Sequence, residues 1–188
     1  MAAVIEWTPK ARALLAAASE LFYERGIHAV GVDAIAERAG VTKKTLYDRF
    51  GSKERLVVEY LSARDVQWRE LLDGYLRAAD GTPEARLEAV FAAAAEWARV
   101  RGSKGCAMIN AHAEISDPAH PAYAVIVGHK RWMLALFAEL VDEAGIAEPR
   151  RVAEHMLLLY EGALVTAGMG VVDDPFSRAA TAALALLR

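Results

Sequence analysis

The stretch GVDAIAERAGVTKKTLYDRFGSKERL, residues 31–56, decides the fold. Two short runs of helical periodicity, over residues 32–39 and 43–50, flank Gly40-Val41, where the chain has to turn sharply. Glycine suits that turn because it enters positive φ without a Cβ clash. Val41 is the apolar plug of the turn, and Thr42 is placed to cap the following helix with its hydroxyl. Ile35, Ala36 and Ala39 face inward from the first run, Leu46 and Phe50 from the second, and Ala36 is small where the two would cross. This is the pattern of a helix-turn-helix, whose second helix lies in the DNA major groove.

The outward face of that second helix then carries Thr42, Lys43, Lys44, Thr45, Tyr47 and Asp48. At its N-terminal end threonine can bond a base edge or touch a thymine methyl, and lysine can donate to guanine. Tyr47 and Arg49 are placed to reach phosphates. Lys53 opens the next helix, where free backbone N–H groups also favour an anion. A capped helical hairpin with a solvated basic face would account for any one of these residues. Their coincidence, behind a long amphipathic helix, favours DNA binding.

Outward from this core every segment reads helical. A first helix runs Pro9–Arg25, with Thr8 as N-cap and Gly26 as its stop. Ser52 caps a long fourth helix reaching about residue 79, kinked or interrupted near Gly74. Thr82 and Pro83 start a fifth, to about residue 100, and RGSKG at 101–105 breaks the chain before a short helix over 106–116. DPAHP at 117–121 is a turn, followed by a long helix that Gly145 ends. An eighth starts near Pro149 and runs to about residue 168, and DDP at 173–175 opens a last one to residue 188. The expectation is an all-α chain of about nine helices, with no strand and no repeat.

Composition narrows the function classes. The chain has 188 residues, 55% hydrophobic, one cysteine and a net charge of −3. The charge is unevenly placed, with a balance of +2 over residues 1–64 and −5 over the remainder. A basic end and an acidic end imply different partners for each. No segment offers about 18 uncharged apolar residues, so a membrane span is excluded. The start of the chain lacks a secretory h-region, and with a lone Cys106 the expected location is the cytoplasm.

On these residues the N-terminal third resembles the DNA-binding domain of the tetracycline-repressor (TetR) family of transcriptional regulators. The family pattern, an aromatic and a glycine closing helix one and then I-A-x-x-A-G-V-[ST]-x-x-[TS]-[LI]-Y-x-x-F-x-[ST]-K-x-x-L, is met from Phe22 and Gly26 through Ile35, Gly40, Thr42, Thr45, Tyr47, Phe50, Ser52 and Lys53 to Leu56. The resemblance implies a helix-turn-helix DNA-binding domain over 1–56 and a helical ligand-binding and dimerisation domain over 57–188. It also implies a homodimer that leaves a palindromic operator when a small ligand binds. Three positions depart from the pattern. Gly31 replaces a capping Ser or Thr, Lys44 a small residue, and Arg49 a histidine, which makes that donor permanently charged.

The C-terminal part says less. RGSKGCAMINAHAE resembles the G-C-x-x-x-N-A-x-x-E stretch of one TetR subgroup. Small residues recur in the last two helices, among them Gly162, Ala163, Ala167, Ala179 and Ala183, and suit close helix approach in a four-helix dimer interface. Candidate ligand contacts are the large or polar residues on apolar helices: Trp68, Trp97, Met108, Asn110, His112, Tyr123, Trp132, Met133 and Tyr160. Such a lining fits a hydrophobic or aromatic effector, although aromatic and Met residues at helical spacing are also what plain core looks like.

Other chemistry is poorly supported. No histidine falls in H-E-x-x-H or a helical E-x-x-H pair, so no metal and no cofactor is expected. His112 and Glu114, two apart on a helix, point to different faces. Cys106 has a cationic neighbourhood, which leaves a redox role open beside that of a packed thiol. No G-x-S-x-G or phosphate-binding glycine loop occurs, so an enzyme is not expected. The alternative reading is a helical small-molecule-binding module without DNA binding, which Gly31, Asp33 and Asp48 would allow.

Overall fold

The computed structural model describes residues 5–102 and 104–188. Residues 1–4, the start of the N-terminal stretch, and Ser103, in the middle of the expected RGSKG break, lie outside the described residues. Among the described residues the chain forms nine helices and no strand, as the periodicity predicts: α1 (Pro9–Arg25), α2 (Val32–Arg38), α3 (Lys43–Phe50), α4 (Lys53–Ala78), α5 (Pro83–Arg101), α6 (Ala107–Glu114), α7 (Tyr123–Glu143), α8 (Pro149–Ala167) and α9 (Pro175–Ala185).

The starts follow the local chemistry. Thr8, Thr42 and Thr82 each accept a backbone N–H three residues on, and Pro9 and Pro83 occupy the first turn, where their missing donors are not needed. Asp174 caps α9 in the same way, accepting from the Ser177 N–H. One expectation is corrected. α4 continues past Gly74 without interruption. A glycine in a helix interior loses only about 1 kcal/mol relative to alanine, and buried Leu72 beside it holds the helix in place.

The chain divides into two compact units. The first comprises residues 1–64 and 107–127, and the second residues 65–106 and 128–188, so α4 and α7 each contribute to both. In the first, α1, α2 and α3 pack on one another over a core that includes Leu14, Phe22, Ile35, Leu46 and Phe50. In the second, α5, α8 and α9 pack together. Phe91, Phe137, Met133 and Tyr160 lie at the heart of its core.

Candidate nucleic-acid interface and the polar groups of the second unit

In the first unit the turn is built as its residues require. Gly40 has φ 64°, in the left-handed region, and Val41 returns its N–H to the Ala36 carbonyl at 2.9 Å. Ile35, Ala36, Leu46 and Phe50 are buried, while Ala39 and Val41 are half-buried. Burying Leu46 and Phe50 fixes the roll of α3, so Thr42, Lys43, Lys44 and Tyr47 are exposed and Thr45 and Arg49 half-exposed. Thr42, Lys43, Lys44 and Tyr47 therefore lie together on the accessible side of α3 and its cap, and Lys53 opens α4.

Several of them already have partners. Thr42 Oγ1 accepts from the Thr45 N–H at 3.2 Å and lies 2.9 Å from Thr45 Oγ1. Lys43 Nζ donates to Asp33 at 3.0 Å, and this contact raises the lysine pKa. Arg49 donates to Glu6 at 2.7 Å. The segment carrying Glu6 is held there by Trp7, whose ring meets Phe50 edge-on at 6.3 Å. Lys53 Nζ stands 5.9 Å from the centre of the Phe22 ring. No such carboxylate partner is found for Lys44 among the described residues. Gly31 leaves α2 without a side-chain cap, as its lack of a side chain dictates.

The ligand candidates divide between the units. Trp68, Trp97, Trp132, Met133 and Tyr160 belong to the second unit; Met108, Asn110, His112 and Tyr123 belong to the first. Within the second unit, Trp68 meets Trp97 at 5.8 Å and Tyr160 at 6.2 Å, and donates from Nε1 to Met133 Sδ at 3.4 Å. Trp132 lies under the Arg69 guanidinium, 3.9 Å from the ring centre. Within the first, His112 and Tyr123 have ring centres 6.1 Å apart; His112 and Asn110 are exposed, and Met108 is buried.

The second unit also holds four polar groups that the sequence did not single out, Asp65, His129, Lys130 and Glu161. His129, 6% exposed, shares a 2.6 Å hydrogen bond between Nδ1 and Asp65 Oδ1. Burial drives the His129 pKa down, more than Asp65 raises it, so the ring is neutral at pH 7 and donates from Nδ1. Burial alone would raise the Asp65 pKa. The hydrogen bond from His129, with Arg69 at 2.9 Å, outweighs it and holds the carboxyl below its usual range. On the next residue, Lys130 donates to Glu161 and, at 3.1 Å, to Cys106 Sγ. Burial opposes the Lys130 charge, but Cys106 and Glu161 prevail and raise its pKa. Glu161 Oε2 is buried without a hydrogen-bond partner among the described residues. Burial, with Cys106 and Glu161 nearby, pushes the Tyr160 hydroxyl well above its ordinary pKa.

The Asp65–Arg69 spacing of four was a legible signal. The Asp65–His129 pairing, 64 residues apart, had none. Among the described residues no group of three or more metal-ligating side chains occurs, and no helix is long and apolar enough to cross a membrane.

Comparison with known proteins places the chain. Residues 14–60 match the family model described as bacterial regulatory proteins, tetR family. Over 48 residues the chain is 56% identical to the transcriptional activator FasR of Mycolicibacterium smegmatis, a match spanning 26% of this chain and 22% of that protein. It is 28% identical to the transcriptional regulator AcuR of Cereibacter sphaeroides over 87% of this chain and 78% of that one. Among solved structures, SCO4454, a TetR-family regulator from Streptomyces coelicolor, superimposes with a TM-score of 0.83 at 31% identity, covering 95% of this chain and 92% of that one. Because this likeness runs far beyond the helix-turn-helix to nearly the full extent of both chains, the protein belongs to the TetR family of DNA-binding transcriptional regulators and is not an enzyme.

Proposed function

We propose that the protein is a ligand-responsive repressor. As a cytoplasmic homodimer it holds a palindromic operator and releases it when a small hydrophobic or aromatic effector binds. In this reading residues 1–56 bind DNA, and residues 57–188 bind the ligand and form the dimer. Thr42, Lys43, Lys44 and Thr45 face base edges, while Tyr47, Arg49 and Lys53 hold phosphates. The observation that carries the proposal is the α3 face itself: a capped helix with its apolar side buried and its basic, hydroxyl-bearing side open.

The dimer through α8 and α9 is supported by apolar side chains left exposed along α8 and just beyond it. Leu158 is 71% exposed and Met169 65%, with Val165 and the small Gly162 between them. That is one face at helical spacing. Two recognition helices held about 34–36 Å apart would then read successive major grooves. For the effector, the Trp68, Trp97 and Tyr160 cluster supplies aromatic walls. Glu161 Oε2, buried without a hydrogen-bond partner among the described residues, is an acceptor that an effector's donor could meet.

The test is selection of bound duplexes from random sequence, followed by titration of the recovered site at several salt concentrations. The expected outcome is a two-fold-related site with a log K against log salt slope several units negative, because each dimer neutralises several phosphates. A salt-insensitive complex would overturn this reading. Recovery of no site would favour the helical small-molecule-binding module.

A further inference from the structure

Glu114 is the last residue of α6, where free helix carbonyls disfavour an anion. It is held there by a specific contact. Oε1 accepts from the Ile27 N–H at 2.8 Å and Oε2 from the His28 N–H at 2.6 Å. These are the two amides directly after Gly26, whose own N–H closes α1 by returning to Phe22. The corner is shaped for the carboxylate: Gly26 has φ 90°, and a Cβ added there would stand 3.1 Å from Glu114 Oε1. Ile27 is buried, so the clamp sits on an anchored part of the chain. His28 Nδ1 lies 3.7 Å from the same carboxylate, on a mostly exposed ring.

The clamp joins two elements that sequence separates by 86 residues or more. On one side, the α1–α2 corner runs through buried Val30 into α2, which packs on α3. On the other, α6 starts at Ala107, the residue at which the chain enters this unit from Cys106. We propose that Glu114 is the positioning residue through which α6 sets the helix-turn-helix: its carboxylate grips the α1–α2 corner, so that displacing α6 shifts α2 and α3 with it. The glutamate of the G-C-x-x-x-N-A-x-x-E stretch thereby acquires a role. The inference rests on the reading of the protein as an operator-binding regulator.

Coupling between sites is reciprocal, so operator DNA must bias the second unit through the same residue, and no effector is needed to test it. Hydrogen exchange in α7 and α8 is measured with and without the selected operator, for the natural chain, Glu114→Gln and Glu114→Asp. The natural chain is expected to change its α7 and α8 exchange when the operator binds. Glu114→Gln, with one acceptor oxygen in place of two, is expected to bind the operator within about tenfold, to exchange Ile27 and His28 faster, and to lose the α7 and α8 response. Glu114→Asp, one methylene shorter, is expected to keep part of it, and it serves as the variant of record if Glu114→Gln does not fold. A purely structural contact would alter Ile27 and His28 exchange and leave the distant response intact; that result overturns the proposal. So does a natural chain that binds the operator with no response in α7 and α8. Absence of operator binding by the natural chain is a different failure, that of the repressor reading.

Discussion

The proposed reading face of α3 and the interior of the second unit use the same side-chain chemistry at opposite exposures. On α3, Lys43 and Asp33 meet at 3.0 Å with side chains 49% and 76% exposed. In the second unit Lys130 and Glu161 pair with side chains 21% and 16% exposed. Water screens the first pair, so it contributes little to stability, and a DNA phosphate can take the place of the carboxylate. The second pair has given up hydration, and removing one partner strands the other charge. The exposed Lys43–Asp33 pair is therefore expected to be exchangeable and the Lys130–Glu161 pair to be fixed.

The largest effect that would break this contrast is at Lys130. Lys130→Met leaves Glu161 without its cation, and its Oε2 has no other hydrogen-bond partner among the described residues. The expected loss is about 3 kcal/mol of unfolding free energy, read from the urea midpoint at unchanged slope. Adding Glu161→Leu is expected to recover most of it, since paired removal of buried charges is often neutral. A single variant within about 0.5 kcal/mol of the natural chain, the range of an ordinary surface change, would erase the distinction.

Lys44 sharpens the other side. It is exposed and has no carboxylate partner among the described residues, so Lys44→Ala is expected to leave unfolding unchanged. Operator affinity is expected to fall about tenfold, and the salt slope by about one unit per subunit. Equal losses for operator and unrelated duplexes would make Lys44 a phosphate contact; a loss confined to the operator would make it a base contact.

The two regions also differ in how much of them sequence could disclose. Helix starts at Thr8–Pro9, Thr42 and Thr82–Pro83 are local chemistry, and each was legible because the cap and the amide it serves are three residues apart. The turn at Gly40 and the inward set of Leu46 and Phe50 were legible for the same reason. Gly74 misled because propensity is a weak local signal, overridden by the packing of Leu72. The grips of Glu114 on Ile27 and His28, and of Asp65 on His129, join residues more than 60 positions apart, and no spacing rule reaches that far. Among the ligand candidates, Trp68, Trp97 and Tyr160 stood out as large aromatics, and aromatic size marks core and ligand wall alike.

Acid tests the buried side without mutation of a reading residue. Burial lowers the His129 pKa beneath its ordinary 6.5, so the unfolded chain binds the proton first on acidification. The stability contributed by the neutral ring is therefore complete above about pH 6.5 and is lost as pH falls below it toward the folded value. Asp65, also depressed, adds a further loss with the same sign once pH falls below its ordinary 3.8. Thermal midpoints should decline below pH 6.5, and His129→Gln, which keeps a donor near Asp65 without titrating, should flatten that decline. An unchanged slope in the variant would assign the acid sensitivity to other groups.

The smallest expected effect is at Asp33, and its sign is the informative part. This carboxylate holds Lys43 Nζ, and in the proposed complex it would bring a negative charge toward the DNA. If the pair is exchangeable, Asp33→Asn frees the ammonium and removes one repulsive charge per subunit. Operator binding should then tighten about threefold at low salt and lose that gain toward 1 M, where the screening length is only about 3 Å. Stability should be unchanged, since both side chains are largely in water. Weaker binding of Asp33→Asn would mean instead that the carboxylate orients Lys43 toward its base. The pair would then belong with the fixed ones despite its exposure, and solvent access would no longer distinguish the charges that hold this fold from the charges it offers to DNA.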